Sequence, residues 1–312
     1  MNWTELIIQQ SINGLTRGSI FALISLGYTM VYGIIELINF AHGDIYMLGL
    51  MVSLTVLVDV GLARTFEGWE LVTLLPLILI GTMLITGVLN LVVDRIAYRP
   101  LRHAPRLVPL ISAIGVSFML ENLTLVWKGP YVISYPDVLP SVDIIRDVFH
   151  IDSQVYVTTK DLLVIGVTIP LIYGLHLFVT RTSWGKAMRA TAQDRETAEA
   201  MGIDVEKIIM LTFFVGGALA GAAGVVQGIY YNIGQWWMGY QAGLRAFTAA
   251  VLGGIGNMPG AALGGYLIGF LSAWSDQFIS PRWTNAVVFS ILILVLVFRP
   301  HGLLGERAPE RH

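Results

Sequence analysis

Apolar residues run along this chain in long blocks rather than at helical or alternating intervals. The blocks cover roughly 14–34, 44–62, 71–93, 107–126, 162–180, 208–230, 243–257, 260–278 and 284–299. Most approach the ~20 residues that an α-helix needs to cross ~30 Å of hydrocarbon. In lipid every backbone polar group must be satisfied within its own segment, so the blocks predict helices rather than strands. The expected fold is all-α and polytopic, with about 8–10 transmembrane helices forming a single transmembrane domain over residues 1–312. Block 243–257 is short enough to be re-entrant. The opening MNWTELIIQQ has no basic n-region and no small-residue cleavage site, so the first span itself is expected to direct insertion.

The polar interruptions are equally informative. Arg181–Lys207 holds ten charged residues between two apolar blocks. Ala187–Met201 is rich in good helix formers and free of Pro, which predicts one or two short helices at the membrane surface. Thr197, Ala198 and Ala200 are small enough to let a partner's backbone approach. A plain connecting loop is the alternative. Arg95, Arg99, Arg102 and Arg106 fall in segment 95–106, and Arg299, Arg307 and Arg311 in the tail. The long connection 127–160 is poorer in basic residues and carries four Asp. Alternate threading of nine spans puts the basic segments on one side. The positive-inside rule makes that side the cytoplasm and leaves the N-terminus outside. Val142, Ile144, Ile145, Val148 and Phe149 then suggest a helix lying flat on the outer surface.

Composition narrows the class. Only 13% of residues are charged, against about 25% in soluble chains. The net charge of −2 and the lack of a basic tract point to no nucleic-acid partner. The absence of Cys excludes disulfides, thiolate metal sites and cysteine nucleophiles. Gly185-Lys186 is followed by Ala187, so no P-loop is present, and no metalloprotease, nucleophile-elbow or paired-carboxylate pattern occurs. No catalytic or metal-ligating residue is expected. Energy for uphill transport would come from another subunit.

Polar residues inside apolar blocks are costly and therefore candidates for a transport path. Tyr28 and Tyr32 lie one turn apart. Glu36, Asn39, His42 and Asp44 cluster at the junction of the first two blocks, where capping is one reading and Asp44 the candidate cap. Glu121, Asn122, Gln227 and Asn232 come late in their blocks. Arg17 and Arg245 each follow a Gly-Leu pair near a span end, where a long side chain can snorkel. Glycines recur at Gly217/Gly221, Gly256/Gly260 and Gly260/Gly264, a spacing that packs helices closely in lipid. The run Gly253–Pro259 is too rich in breakers for continuous helix. Broken backbone at membrane depth must be buried in protein or line an aqueous path, which makes Asn257 a path candidate.

Four stretches carry a resemblance. Gly18–Gly49, Arg95–Pro100 (RIAYRP), Leu110–Gly115 (LISAIG) and Arg245–Pro259 (RAFTAAVLGGIGNMP) resemble the first of the two branched-chain amino acid ABC transporter permeases. Glu199-Ala200-Met201-Gly202 is similar to the Glu-Ala-Ala…Gly element with which importer permeases dock their ATPase, Met201 replacing the second Ala. The resemblance implies a docking set of Arg189, Asp194, Glu196, Ala198, Glu199, Ala200 and Gly202. The candidate path set is Tyr28, Tyr32, Asn39, His42, Glu121, Asn122, Gln227, Thr248 and Asn257. Implied partners are a second homologous permease, two ATP-binding cassette subunits that carry ATP and Mg, a periplasmic substrate-binding protein and membrane lipid. The implied location is the bacterial inner membrane. Relatives of this fold also handle urea and short amides, and Glu121 stands where an amide is expected. A self-contained channel or ion-coupled carrier is the rival from another class.

Overall fold

A computed structural model describes residues 2–102, 104–105, 107–151 and 153–305. The basic positions Arg106, Arg307 and Arg311 lie outside the described residues. The chain is helical almost throughout. Its membrane-scale helices are α1 (Trp3–Ile35), α2 (His42–Asp59), α3 (Trp69–Val93), α4 (Leu107–Lys128) and α5 (Thr159–Arg181). After two short helices, α6 (Ser183–Gln193) and α7 (Arg195–Ala200), come α8 (Val205–Tyr231), α9 (Met238–Gly253), α10 (Met258–Phe278) and α11 (Thr284–Phe298). Among the described residues six helices are long and apolar enough to cross a membrane: α1, α2, α3 with its continuation to Leu101, α4, α5 and α8. Helix α10 has 21 residues, while α9 and α11 are shorter at 16 and 15.

Helices α1, α2 and α8 form the buried centre, and α3, α4 and α5 turn most of their apolar surface outward. Burial cannot drive helices together in lipid, so close backbone approach does that work. At the α2–α8 crossing a Cβ added to Gly49 would sit 2.6 Å from Gly221 Cα. The Gly217/Gly221 and Gly260/Gly264 seams are therefore real contacts, whereas Gly256 lies in the break between α9 and α10, with φ +92° and nothing within 4 Å of an added Cβ. Gly217 faces Thr86 and Asn90 of α3, and Gly260 and Gly264 of α10 lie against Gly253 and Ala249 of α9.

Several boundaries differ from the sequence pattern. Helix α1 starts at Trp3, not near 14, because Asn2 and Glu5 form a capping box. The polar Gln9 and Gln10 are then absorbed by a bond to Asn13 one turn along α1 and by tertiary bonds to Gln277 and the Tyr156 amide. Helix α9 begins at Met238, five residues before the expected start, and its far end breaks as predicted at Gly254. Segment 95–106 is not a free loop. Asp94–Tyr98 continues α3 as a π-turn, followed by a 3₁₀ turn at Arg99–Leu101. Among its described residues the connection 127–160 holds no flat surface helix. Its Ile144–Val148 stretch is one π-turn, because Asp143 caps Ile145 and pairs with Thr158 as a β-bridge. The same connection lends Ile133–Ser134 (β1) to a two-stranded antiparallel ribbon with Ile233–Gly234 (β2) after α8.

Candidate functional site

Two polar regions stand out, and the α1–α2 junction joins them. The first is the strip between α5 and α8. Thr182 ends α5 and caps α6, accepting the Gly185 amide at 3.0 Å. Asp194 then ends α6 and caps α7, accepting the Thr197 amide at 3.0 Å. Gly202, at φ +85°, reverses the chain, and Asp204 caps α8 by accepting the Lys207 amide at 3.1 Å. Lys207 also bonds the Asp204 side chain and holds that carboxyl below its usual range. Each element is thus stopped and restarted by an acceptor side chain, the signature of sequence-encoded helix caps. Glu196, Glu199, Ala200 and Met201 face outward, with Met201 79% exposed.

Behind the strip, Arg195 reaches the end of α1. Its Nε and Nη2 donate to the Ile34 carbonyl at 3.1 and 2.5 Å. Burial opposes the charge of this guanidinium, and Glu36 favours it. A polar cleft of about 550 Å³ opens here, lined by Glu36, Arg102, Thr191, Asp194 and Arg195 among others. Arg102 anchors its far side. It donates to both oxygens of Asp94 at 2.6 and 2.9 Å and to Glu206 at 2.6 Å, tying the end of α3 to the start of α8.

The second region is buried where α1, α2, α4 and α9 meet. The chain leaves α1 through Glu36, at φ 54°, and turns back inward. Asn39 accepts the Tyr98 hydroxyl at 2.9 Å. His42, fully buried, packs edge-on to Tyr28 with ring centroids 4.7 Å apart and lies against Gly27. Asp44 accepts the Ser117 hydroxyl of α4 at 2.5 Å, and Glu121, one turn further along α4, takes the Tyr240 amide of α9. Gly43 and Gly243 make room: a Cβ on Gly43 would lie 2.7 Å from Gly243 Cα. Phe247 and Phe40 close one side, with ring centroids 6.0 Å apart.

The whole arrangement can now be set beside known proteins. The family model described as "Branched-chain amino acid transport system / permease component" matches residues 10–296. The chain belongs to that family. It is 42% identical to the "High-affinity branched-chain amino acid transport system permease protein BraD" of Pseudomonas aeruginosa, over 97% of each chain. It is 38% identical to the "High-affinity branched-chain amino acid transport system permease protein LivH" of Escherichia coli K12, again over 97% of each. A more distant relative is the "Probable branched-chain amino acid transport permease protein LivM" of Methanocaldococcus jannaschii, 25% identical over 74% of this chain and 69% of its own. No solved structure matches the chain at a significant level.

Within this permease the proposed residues divide sharply. Tyr28, Asn39, His42 and Glu121 come together at the α1–α2 junction. Tyr32 and Gln227 are half-buried on α1 and α8, while Asn122 points outward from α4 and bonds the Phe118 carbonyl of its own helix. Thr248 is buried, but its hydroxyl is spent on the Leu244 carbonyl one turn back. Asn257 is committed to backbone groups. Its side chain accepts the Gly260 amide as the α10 cap and donates to the Leu304 carbonyl, both at 2.9 Å. The C-terminal segment closes that break further, with Leu303 and Leu304 bonded to the Leu252 and Gly253 carbonyls. Asp44 does not cap α2 with its side chain; Ser117 takes that carboxylate instead. On the strip, Ala198 is buried against the rest of the chain, while Arg189 is exposed and donates to the Val179 carbonyl at the end of α5.

Ser117, Arg195 and Asp276 are the residues that sequence reasoning missed. Ser117 carries no local signal, since its partner lies 73 residues away, whereas Asp276 carries one as an acidic residue inside the apolar block 260–278. Asp276 receives Arg17 directly and the Thr284 hydroxyl at 2.5 Å, so Arg17 is paired rather than snorkelling. Arg245 instead donates to Asn285 at 2.9 Å.

Proposed function

We propose that this chain is the membrane-embedded permease of an ABC importer that carries branched-chain amino acids across the bacterial inner membrane. Its partners are a second homologous permease, two ATPase subunits and a periplasmic binding protein. The observation that carries the reading is the strip α6–α7. Between the apolar helices α5 and α8 lies one charged pair of short capped helices, too short and polar to cross a membrane. Its outward residues Glu196, Glu199 and Ala200 belong to the stretch similar to an ATPase-docking element. Relatives at 38–42% identity favour branched-chain amino acids over urea or amides as the cargo.

The chain performs no covalent chemistry in this reading, and ATP and Mg belong to the partner subunits. ATP closes the ATPase pair, Glu196, Glu199, Ala200 and Gly202 carry that movement inward, and the helices alternate between two openings. The path candidates are Tyr28, His42 and Glu121, joined now by Asp44 and Ser117. The strip and C-terminus face the cytoplasm, the connection 127–160 faces outward, and residues 1–312 act as one transmembrane unit. Deleting Glu196–Met201 should abolish co-purification of an ATPase with the permease while leaving membrane insertion intact. Retained association would refute the docking role.

A further inference from the structure

Helix α1 ends abruptly. Glu36 adopts a left-handed conformation and its amide returns to the Tyr32 carbonyl at 2.8 Å, so the chain leaves the helix before residue 38 can bond residue 34. The Ile34 carbonyl is one of the groups that every helix C-terminus leaves without a helical partner. Arg195 fills it with two N–H donors from one guanidinium edge and places a cation at the negative end of the helix dipole.

Arg195 is also the first residue of α7, directly after the Asp194 cap and directly before the outward Glu196. Movement of α7 therefore acts on the last turn of α1. Beyond that turn only Glu36–Ala41 separates Ile35 from His42 at the buried cluster. Asn39, midway along it, is held by Tyr98. Between α7 and this junction lies the polar cleft rather than packed apolar side chains. The Arg195 bond thus crosses a gap in which the two parts have room to move.

We propose that Arg195 is the positioning residue that transmits motion of the docking strip to the α1–α2 junction, and through it to the buried polar cluster. This rests on the docking role of the strip. The guanidinium is suited to the task because its planar fork holds one carbonyl with two donors, which a lysine ammonium on a flexible stem cannot reproduce. No contact between Arg195 and the ATPase or the cargo is needed.

The test is leucine imported per ATP hydrolysed by the complete importer in proteoliposomes, with binding protein inside the assay. Arg195→Ala should lower that ratio about tenfold, a coupling loss of the size expected between linked sites. The ATPase should remain bound and the thermal midpoint should stay near that of the unaltered complex. Arg195→Lys should recover part of the ratio. An unchanged ratio in Arg195→Ala overturns the proposal. If the alanine variant does not assemble, Arg195→Lys decides: a lowered ratio supports the proposal and an unaltered one overturns it. Failure of any ATPase to bind the unaltered permease would instead refute the docking role, and this proposal with it.

Discussion

Removing Arg102 should be among the most damaging single changes outside the apolar helices, and the structure says why. Its side chain is 8% exposed and that of Asp94 only 1%, and the two share bonds of 2.6 and 2.9 Å. The second partner, Glu206, is 43% exposed, so its pair with Arg102 is discounted to about 0–1 kcal/mol. The cost is therefore set by Asp94. Substituting Arg102→Met keeps much of the volume but leaves a buried carboxylate without its counter-charge, which costs about 3–5 kcal/mol. Adding Asp94→Asn removes the stranded charge. A buried pair replaced by neutral groups is often close to neutral overall, so the double variant should regain about 2–3 kcal/mol. The assay is unfolding of the purified permease in mixed micelles by SDS, followed by circular dichroism, for the four members of the cycle. If Arg102→Met lay within about 1 kcal/mol of the unaltered protein, or the double variant were no better than the single, the pair would not hold the turn after α3 to the end of that helix.

Two further expectations concern backbone positions. Gly202 has φ +85° and no atom within 4 Å of an added Cβ, so Gly202→Leu has room but the wrong backbone, at about 1–2 kcal/mol. It should uncouple ATP hydrolysis from leucine transport without impairing insertion, whereas Gly202→Asn, which tolerates this conformation, should couple nearly normally; equal coupling in the leucine variant would show that the turn is permissive. Asn257→Ala loses the cap on α10 and the tie to Leu304, so thermal stability should fall by about 1–2 kcal/mol while transport per assembled complex stays constant. Lost transport at full stability would return Asn257 to the path.

What the sequence made legible was whatever a local pattern can encode. The apolar blocks marked the long helices because backbone in lipid has few alternatives. The strip showed its helices through Ala, Arg and Glu, and the break at Gly253–Pro259 showed itself through breakers. What stayed hidden depended on partners far along the chain. Gln9 and Gln10 look like a polar end to the first span, yet Gln277 and the Tyr156 amide let α1 continue through them. Asn257 looks like a polar group facing a path because its acceptor, Leu304, comes 47 residues later. Ala198 reads as a small residue left open for a partner, but the one-sided burial of α7 turns it inward. The Asp44–Ser117 bond spans 73 residues, and nothing about an isolated serine on α4 announces it.

The α1–α2 junction reconciles these two kinds of information. Irregular backbone within a membrane protein must find its hydrogen bonds inside the protein. Here the turn into α2 does so locally: the His42 amide bonds the Asn39 carbonyl at 3.1 Å, and the Asp44 and Ile45 amides both reach Ala41. Arg195 meets the Ile34 carbonyl, and Tyr98 and Ser117 bond the Asn39 and Asp44 side chains, so three other elements reach the junction. A break satisfied from one element would be static. A junction tied to α4, to the turn after α3 and to α7 would have to change partners if those elements moved relative to one another. On the proposed docking role, movement of α7 would reach this junction through the Arg195 bond to Ile34, and the buried Asn39, His42 and Asp44 lie just beyond it.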